Sequence, residues 1–412
     1  MPTANEPDKP AASIPEVDAA GDLSPPAPRV HLAYLDGLRA LAAIYVVLAH
    51  MYTQRPLTGS SPLGMLLVSP LQFGHAAVDV FIVLSGFCLM LPVARGDGAL
   101  HGGAIRFYWK RARRILPPYY LTIAASLLLI YLWIGHKTGT HWDGSVPVTI
   151  PGLARHLLLL QDLRHDAQIN HVLWSVAVEW RIYFLFPLLV ILFRKWSPVK
   201  TAVAAVLLSY AVWFVLSWSP WHRVIDTGMT GLSPYYVGLF TLGMLAAHLS
   251  FSPDRMLRRW RSSRGWACVT LVGTVVVCVL SVLPVANGVP LSVQLMSFFF
   301  GLWSAALLVW MSVNPRCWPH RLCAWRPLAF LGAFSYSIYL MHGPLIQLIW
   351  QYAIHPLHLS RFTEFLLMVF PSLPIIVALC YLFFLACERP FLSKRGETMA
   401  QTERDAALSP AP

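Results

Sequence analysis

Arg39 and His50 stand eleven positions apart in "YLDGLRALAAIYVVLAH", residues 34–50, a stretch otherwise suited to an apolar setting. An imidazole exchanges a proton near neutral pH and a guanidinium grips an anion, so the pair could serve proton transfer beside an anionic substrate. On an α-helix this spacing leaves the two side chains about 20° apart in azimuth and about 16 Å apart in height. They share one face at two depths. Ionisable groups in so apolar a segment are costly to bury and usually face a cavity or a bundle interior. Taken alone, the pair also fits an interface histidine and an arginine snorkelling to lipid headgroups.

Four further stretches carry comparable chemistry. In "FGHAAVDVFIVLSGF", His75 and Asp79 lie one helical turn apart at the depth expected for His50. A carboxylate beside an imidazole fixes its tautomer and stabilises the imidazolium, which makes Asp79 a candidate orienter of His50; a capping or loop-anchoring role is the alternative. Ser85 and Gly86, deeper in the same segment, suit close helix approach. In "RFYWKRARRILPPYYL", Arg111 and Arg114 point the same way at i and i+3 and could clamp phosphates, although with Lys110 and Arg113 the cluster also fits attraction to anionic lipid. In "HVLWSVAVEWRIYFLFP", Glu179 and Ser175 share a face, and a buried carboxylate there needs a partner, Arg181 being one choice, or a raised pKa. In "FSYSIYLMHGPLI", Tyr339 and His342 sit at i and i+3 before Pro344, which should loosen the helix beyond them. Taken alone, His342 reads more readily as an interior hydrogen-bonding group than as a catalyst.

The elements that must hold these residues are membrane helices. The chain has 412 residues, 57% of them hydrophobic and only 12% charged, which excludes an ordinary soluble domain and any disordered class. Apolar runs long enough to cross a hydrocarbon core of roughly 30 Å number ten. They cover about 32–52, 74–94, 115–135, 171–193, 200–218, 232–250, 266–285, 291–312, 328–353 and 364–387. The net charge of +12 does not indicate nucleic acid, because the basic residues lie between the spans. Sorted by alternate sides, 23 of the 31 Lys and Arg fall on the side of both termini, six on the other, and Arg39 and Arg181 inside spans. Both termini are therefore expected in the cytoplasm.

The expected fold is an all-α integral membrane bundle over 31–392, with a disordered cytoplasmic tail at 1–30 and a second cytoplasmic tail at 393–412. Seven cysteines without a CxxC pair point to free thiols and no structural zinc. The loop at about 136–170 holds His136, His141, His156 and His165 in no ligand pattern, and these read as solvated or acceptor-facing side chains.

Together these stretches resemble the acyltransferase-3 family of bacterial integral membrane O-acyltransferases. Arg39 and His50 match its opening signature. Asp79, Phe81, Ser85, Gly86 and Phe87 match its second-helix motif, and Arg111 and Arg114 its RxxR motif. Trp174, Ser175, Glu179 and Tyr183 match a third helix motif, followed by "YSIYLMHGPL" and "CERPF". Ile82 and Trp180 depart from the usual pattern.

The resemblance implies transfer of an acyl group, acetyl first among them, from cytoplasmic acyl-CoA to a hydroxyl of a glycan or glycosylated small molecule in the bacterial cytoplasmic (inner) membrane, without a metal. His50, Arg39, Asp79 and Glu179 would be catalytic. Arg111, Arg114 and Arg39 would hold the donor, and His75, Ser175, Tyr339 and His342 the substrates. Buried ionisable groups also make proton relays, so a proton-coupled transporter or exporter is the alternative, although its usual repeated halves are not visible in the sequence.

Overall fold

The computed structural model describes residues 32–55, 69–164, 168–223, 225–228, 230–254, 257, 259–261, 263–287 and 292–392. The expected tails at 1–30 and 393–412, and His165, lie outside the described residues. The described residues form helices joined by loops and short 3-10 turns, and the chain is an all-α polytopic membrane protein. In chain order the helices are α1 (Ala33–Gln54), α2 (His75–Arg95), α3 (Gly103–Leu129), α4 (Ile150–Leu158), α5 (Trp174–Lys195), α6 (Pro198–Trp218) and α7 (Tyr236–Phe251). There follow α8 (Ser263–Asn287), α9 (Val293–Val313), α10 (Trp318–Cys323), α11 (Arg326–Ala333), α12 (Ser335–Ile349), α13 (Arg361–Leu367) and α14 (Leu373–Phe383).

Among the described residues, eight helical stretches are long and apolar enough to cross a membrane, and α11 with α12, bent by 71°, makes a ninth. The expected sixth span is α7, which at 16 residues is shorter than a full crossing. The third span begins at Gly103, well ahead of the expected 115, so Arg111 and Arg114 ride on a helix that continues through Pro117 and Pro118. Beyond Pro344 the helix widens into a π turn at Trp350–Ile354, the loosening that proline predicts.

Close packing at glycine sets the bundle's centre. Gly86 of α2 lies on the backbone of Phe240 in α7, and Gly243 of α7 lies on the backbone of Val83 in α2; a β-carbon at either would overlap the facing carbonyl. Gly37 of α1 meets Cys323 of α10 in the same way, and Gly332 of α11 meets Asp36 of α1. Lipid supplies no hydrophobic drive between helices, so contact of this kind, through small residues, is what holds them. The seven cysteines are free.

The connection after α3 folds back onto the bundle. Gln347 of α12 accepts from Gln54 of α1 at 2.5 Å and from Thr140 at 3.0 Å, and donates to Thr138 at 3.0 Å. The loop is thereby fastened over the carboxy-terminal end of α1. If the α2–α7 contact governs stability, Gly243→Leu should lower the melting temperature of detergent-purified protein, at a cost of about 1–3 kcal/mol or more for overpacking. A melting temperature equal to wild type would show that the helices can part freely.

Candidate active site

A cavity of about 220 Å³ runs between α1, α2, α3, α5 and α12. At one end it is lined by three guanidinium groups, Arg39, Arg111 and Arg114; further in come Ser85, Glu179 and Tyr183, then Ser175 and Tyr339. Arg39 does not turn out to lipid. It donates to Asp36 at 2.5 Å and to the Cys88 sulfur at 3.1 Å, which aims its planar head into the cavity. Arg111 lies over the Phe107 ring, its carbon 5.8 Å from the centroid.

Glu179 accepts from Ser85 at 2.7 Å and from Tyr183. Arg181, two residues on, points elsewhere and pairs with the buried Asp162 of the preceding loop, so Glu179 stays free of it. Ser175 and Tyr339 are joined hydroxyl to hydroxyl at 2.6 Å, and Tyr339 also donates to the Val172 carbonyl at 3.0 Å. Tyr339 closes the cavity. One turn along α12, His342 lies 5.8 Å away ring to ring, and His342 in turn meets His50.

The His50–His342 contact fixes its own protons. His342 Nδ1 lies 3.1 Å from the Ile338 carbonyl, which can only accept, so that nitrogen carries the proton and Nε2 is left as an acceptor. His50 Nδ1 lies 3.0 Å from that Nε2 and 3.0 Å from the Val46 carbonyl, so it too must be protonated. The free lone pair of His50 is then on Nε2. A neutral imidazole held with Nε2 bare is set up as a base.

Asp79 is not brought to His50. The two make no hydrogen bond, and Asp79 lies instead toward α7 and α9, near Ser297 and Tyr235. The reason is rotation of the helix, since α2 turns its glycine face and Asp79 together toward α7. His342 takes the place expected of the carboxylate. His75 is likewise apart, its ring against Phe73 with centroids 6.3 Å away and its Nε2 buried without a partner.

Two residues that sequence reasoning did not place here join the cluster. His141, from the loop, and His171, just before α5, lie with ring centroids 5.8 and 5.1 Å from His50 and 4.3 Å from each other. His171 stands one turn before Ser175, a spacing that could have marked it. Of the loop histidines expected to be solvated or acceptor-facing, His141 thus faces the His50 cluster, whereas His156 is neither solvated nor part of it. His156 is 1% exposed, with Nδ1 2.9 Å from the Gly152 carbonyl. Among the described residues, no group of three or more His, Cys, Asp and Glu has the geometry of a metal site.

The acyltransferase domain profile of the acyltransferase-3 family matches residues 32–385. The chain belongs to that family. Among curated relatives of this acyltransferase-3 protein is the peptidoglycan O-acetyltransferase OatA of Listeria monocytogenes, 24% identical over 333 residues, which are 78% of this chain and 50% of the relative. The putative peptidoglycan O-acetyltransferase YrhL of Bacillus subtilis is 24% identical over 330 residues, 76% of this chain and 48% of the relative. Acyltransferase MdmB of Streptomyces mycarofaciens is 31% identical over 179 residues, 42% of each chain. The chain thus spans about half the length, or less, of the relatives it matches. No solved structure matches it.

Burial, and secondarily the neighbouring His50 ring, hold His141 down at about 3, and burial holds His156 down at about 4. A histidine depressed in the fold takes a proton more readily when unfolded, so its stabilisation is complete above the unfolded value of 6.5 and is lost as pH falls below it. The melting temperature should therefore drop between about pH 7 and about pH 5, and His141→Gln should reduce the slope while His156 keeps part of it. An unchanged slope in His141→Gln would place that ring in solvent.

Proposed function

We propose that the protein is a membrane O-acyltransferase that moves an acyl group, acetyl first among candidates, from cytoplasmic acyl-CoA to a hydroxyl of a glycan or glycosylated small molecule. The observation that carries this reading is a cavity lined by three guanidiniums at one end and by Ser175 and Tyr339 at the other, with His342 and its partner His50 one helical turn beyond Tyr339. Family membership and the O-acetyltransferase names of its relatives support the reaction class. The setting proposed is the bacterial cytoplasmic membrane, with both termini inside.

Arg111 and Arg114 would hold donor phosphates, because the guanidinium fork matches phosphate oxygens. At about 220 Å³ the cavity is smaller than the roughly 300 Å³ at which pockets for whole drug-sized ligands begin, so the acyl thioester end would enter while the nucleotide stays at the arginine mouth. Arg39 would line the inward path. Ser175 and Tyr339 would sit beside the thioester carbonyl. His50 Nε2 would take the proton of the acceptor hydroxyl as its oxygen attacks that carbonyl, His342 holding the ring; the C–S bond would then break, and the departing CoA thiolate would take that proton from the imidazolium. Glu179, fixed by Ser85 and Tyr183, would supply negative charge near Arg111 and so keep the guanidinium cluster compact.

In proteoliposomes supplied with acetyl-CoA and acceptor, His50→Ala should lower kcat by about 100-fold or more, the scale of a general base. Near wild-type transfer in that variant would end the assignment. Arg111→Ala should raise KM for the donor with little change for the acceptor. Equal increases for both would remove Arg111 from the donor seat.

A further inference from the structure

Asp79 is completely buried in α2, and neither of its carboxyl oxygens has a hydrogen-bond partner. Beside it are three hydroxyls in the same condition: Ser297 of α9, Tyr235 just before α7, and Tyr236 at its start, each sealed from solvent and each without a partner. Ser297 neighbours both Asp79 and Tyr235, and the Tyr235 and Tyr236 rings are 4.6 Å apart. The next hydroxyl out, Tyr210, is already spent on the Gln294 carbonyl at 2.9 Å. Among the described residues no Lys, Arg or His bears on Asp79.

Buried polar atoms are nearly always paired, and a buried carboxylate with neither counter-charge nor donor is among the costliest arrangements a fold can hold. Here a carboxylate of α2, the hydroxyl of Ser297 in α9 and the two tyrosine hydroxyls at the start of α7 are neighbours, five oxygens carrying a single formal negative charge. We propose that they form a binding site for a monovalent cation, sodium. All the donors are hard oxygens, which suits alkali and alkaline-earth ions over softer metals. One carboxylate neutralises one monovalent ion, whereas a divalent ion would leave a net positive charge buried in the bundle. A shell of this size satisfies sodium; potassium asks for more oxygens.

The site has a mechanical place. Asp79 and Gly86 lie two turns apart on the same face of α2, and Tyr236 lies one turn before Phe240, on whose backbone Gly86 rests. Sodium would therefore fasten the α2–α7 pair one step beyond the glycine contact and tie both to α9. The site is separate from the donor cavity, which Asp79 does not line, and stands or falls independently of acyl transfer.

The test is thermal unfolding of the full-length protein in detergent, in sodium, potassium or choline chloride at one ionic strength. The melting temperature is expected to rise with the logarithm of sodium concentration and to stay flat in choline. Ser297→Ala and Tyr235→Phe should each shift the apparent sodium affinity by tenfold or more, with unchanged circular dichroism at saturating sodium, and Asp79→Asn should abolish the dependence. Radioactive sodium should bind at about one per chain and be lost in Asp79→Asn. Equal melting temperatures in all three salts, or a sodium response that survives Ser297→Ala, Tyr235→Phe and Asp79→Asn alike, would overturn the proposal and leave water or a proton as the partner of these oxygens.

Discussion

A bundle embedded in lipid has no bulk water with which to satisfy its interior, so its charged side chains depend on partners held inside the protein. Much of the architecture described above follows. Arg39 is held by Asp36 and the Cys88 sulfur, Arg181 by Asp162, and Glu179 by two hydroxyls from its own and a neighbouring helix. Such contacts need short interhelical distances, and these come from glycine laid directly on backbone at Gly37, Gly86, Gly243 and Gly332. Small residues and ionisable residues are thus two halves of one requirement.

The pairing of His50 with His342 shows the same economy. A carboxylate orienting an imidazole stabilises its protonated form, but in an apolar bundle the carboxylate must itself be compensated. A second neutral imidazole, its own proton directed at the Ile338 carbonyl, sets the tautomer without adding charge. His141 and His171 enlarge this uncharged cluster, and the loop bearing His141 is pinned through Thr138 and Thr140 to Gln347 on the helix that carries His342. The fastening of the loop and the placement of the imidazoles are one construction.

What could be read from the sequence had a physical limit. Arg39, Arg111, Arg114, Ser175, Glu179 and Tyr339 all line one cavity, because residue type and spacing along a single helix report which side chains share a face. The face itself is not reported. Asp79 looks toward α7 and not toward His50, since rotation of a helix is set by its neighbours' packing and not by its own periodicity. The place of His141 was open for a different reason: a loop has no period, and contacts such as the hydrogen bonds of Thr138 and Thr140 with Gln347 bring it down to the helices. The ten apolar runs all became helices, but the break between α11 and α12 and the shortness of α7 arise from tertiary contacts that hydropathy does not see.

That short helix has an electrical consequence. Sixteen residues rise only about 24 Å, against a hydrocarbon layer of roughly 30 Å, and neighbouring helices cover most of its surface. Protein, not lipid, therefore surrounds it, and because its first residue, Tyr236, is itself sealed from solvent, the low-dielectric interior continues past the helix end. A membrane voltage therefore falls over a path longer than the helix, and the helix itself spans only part of that potential.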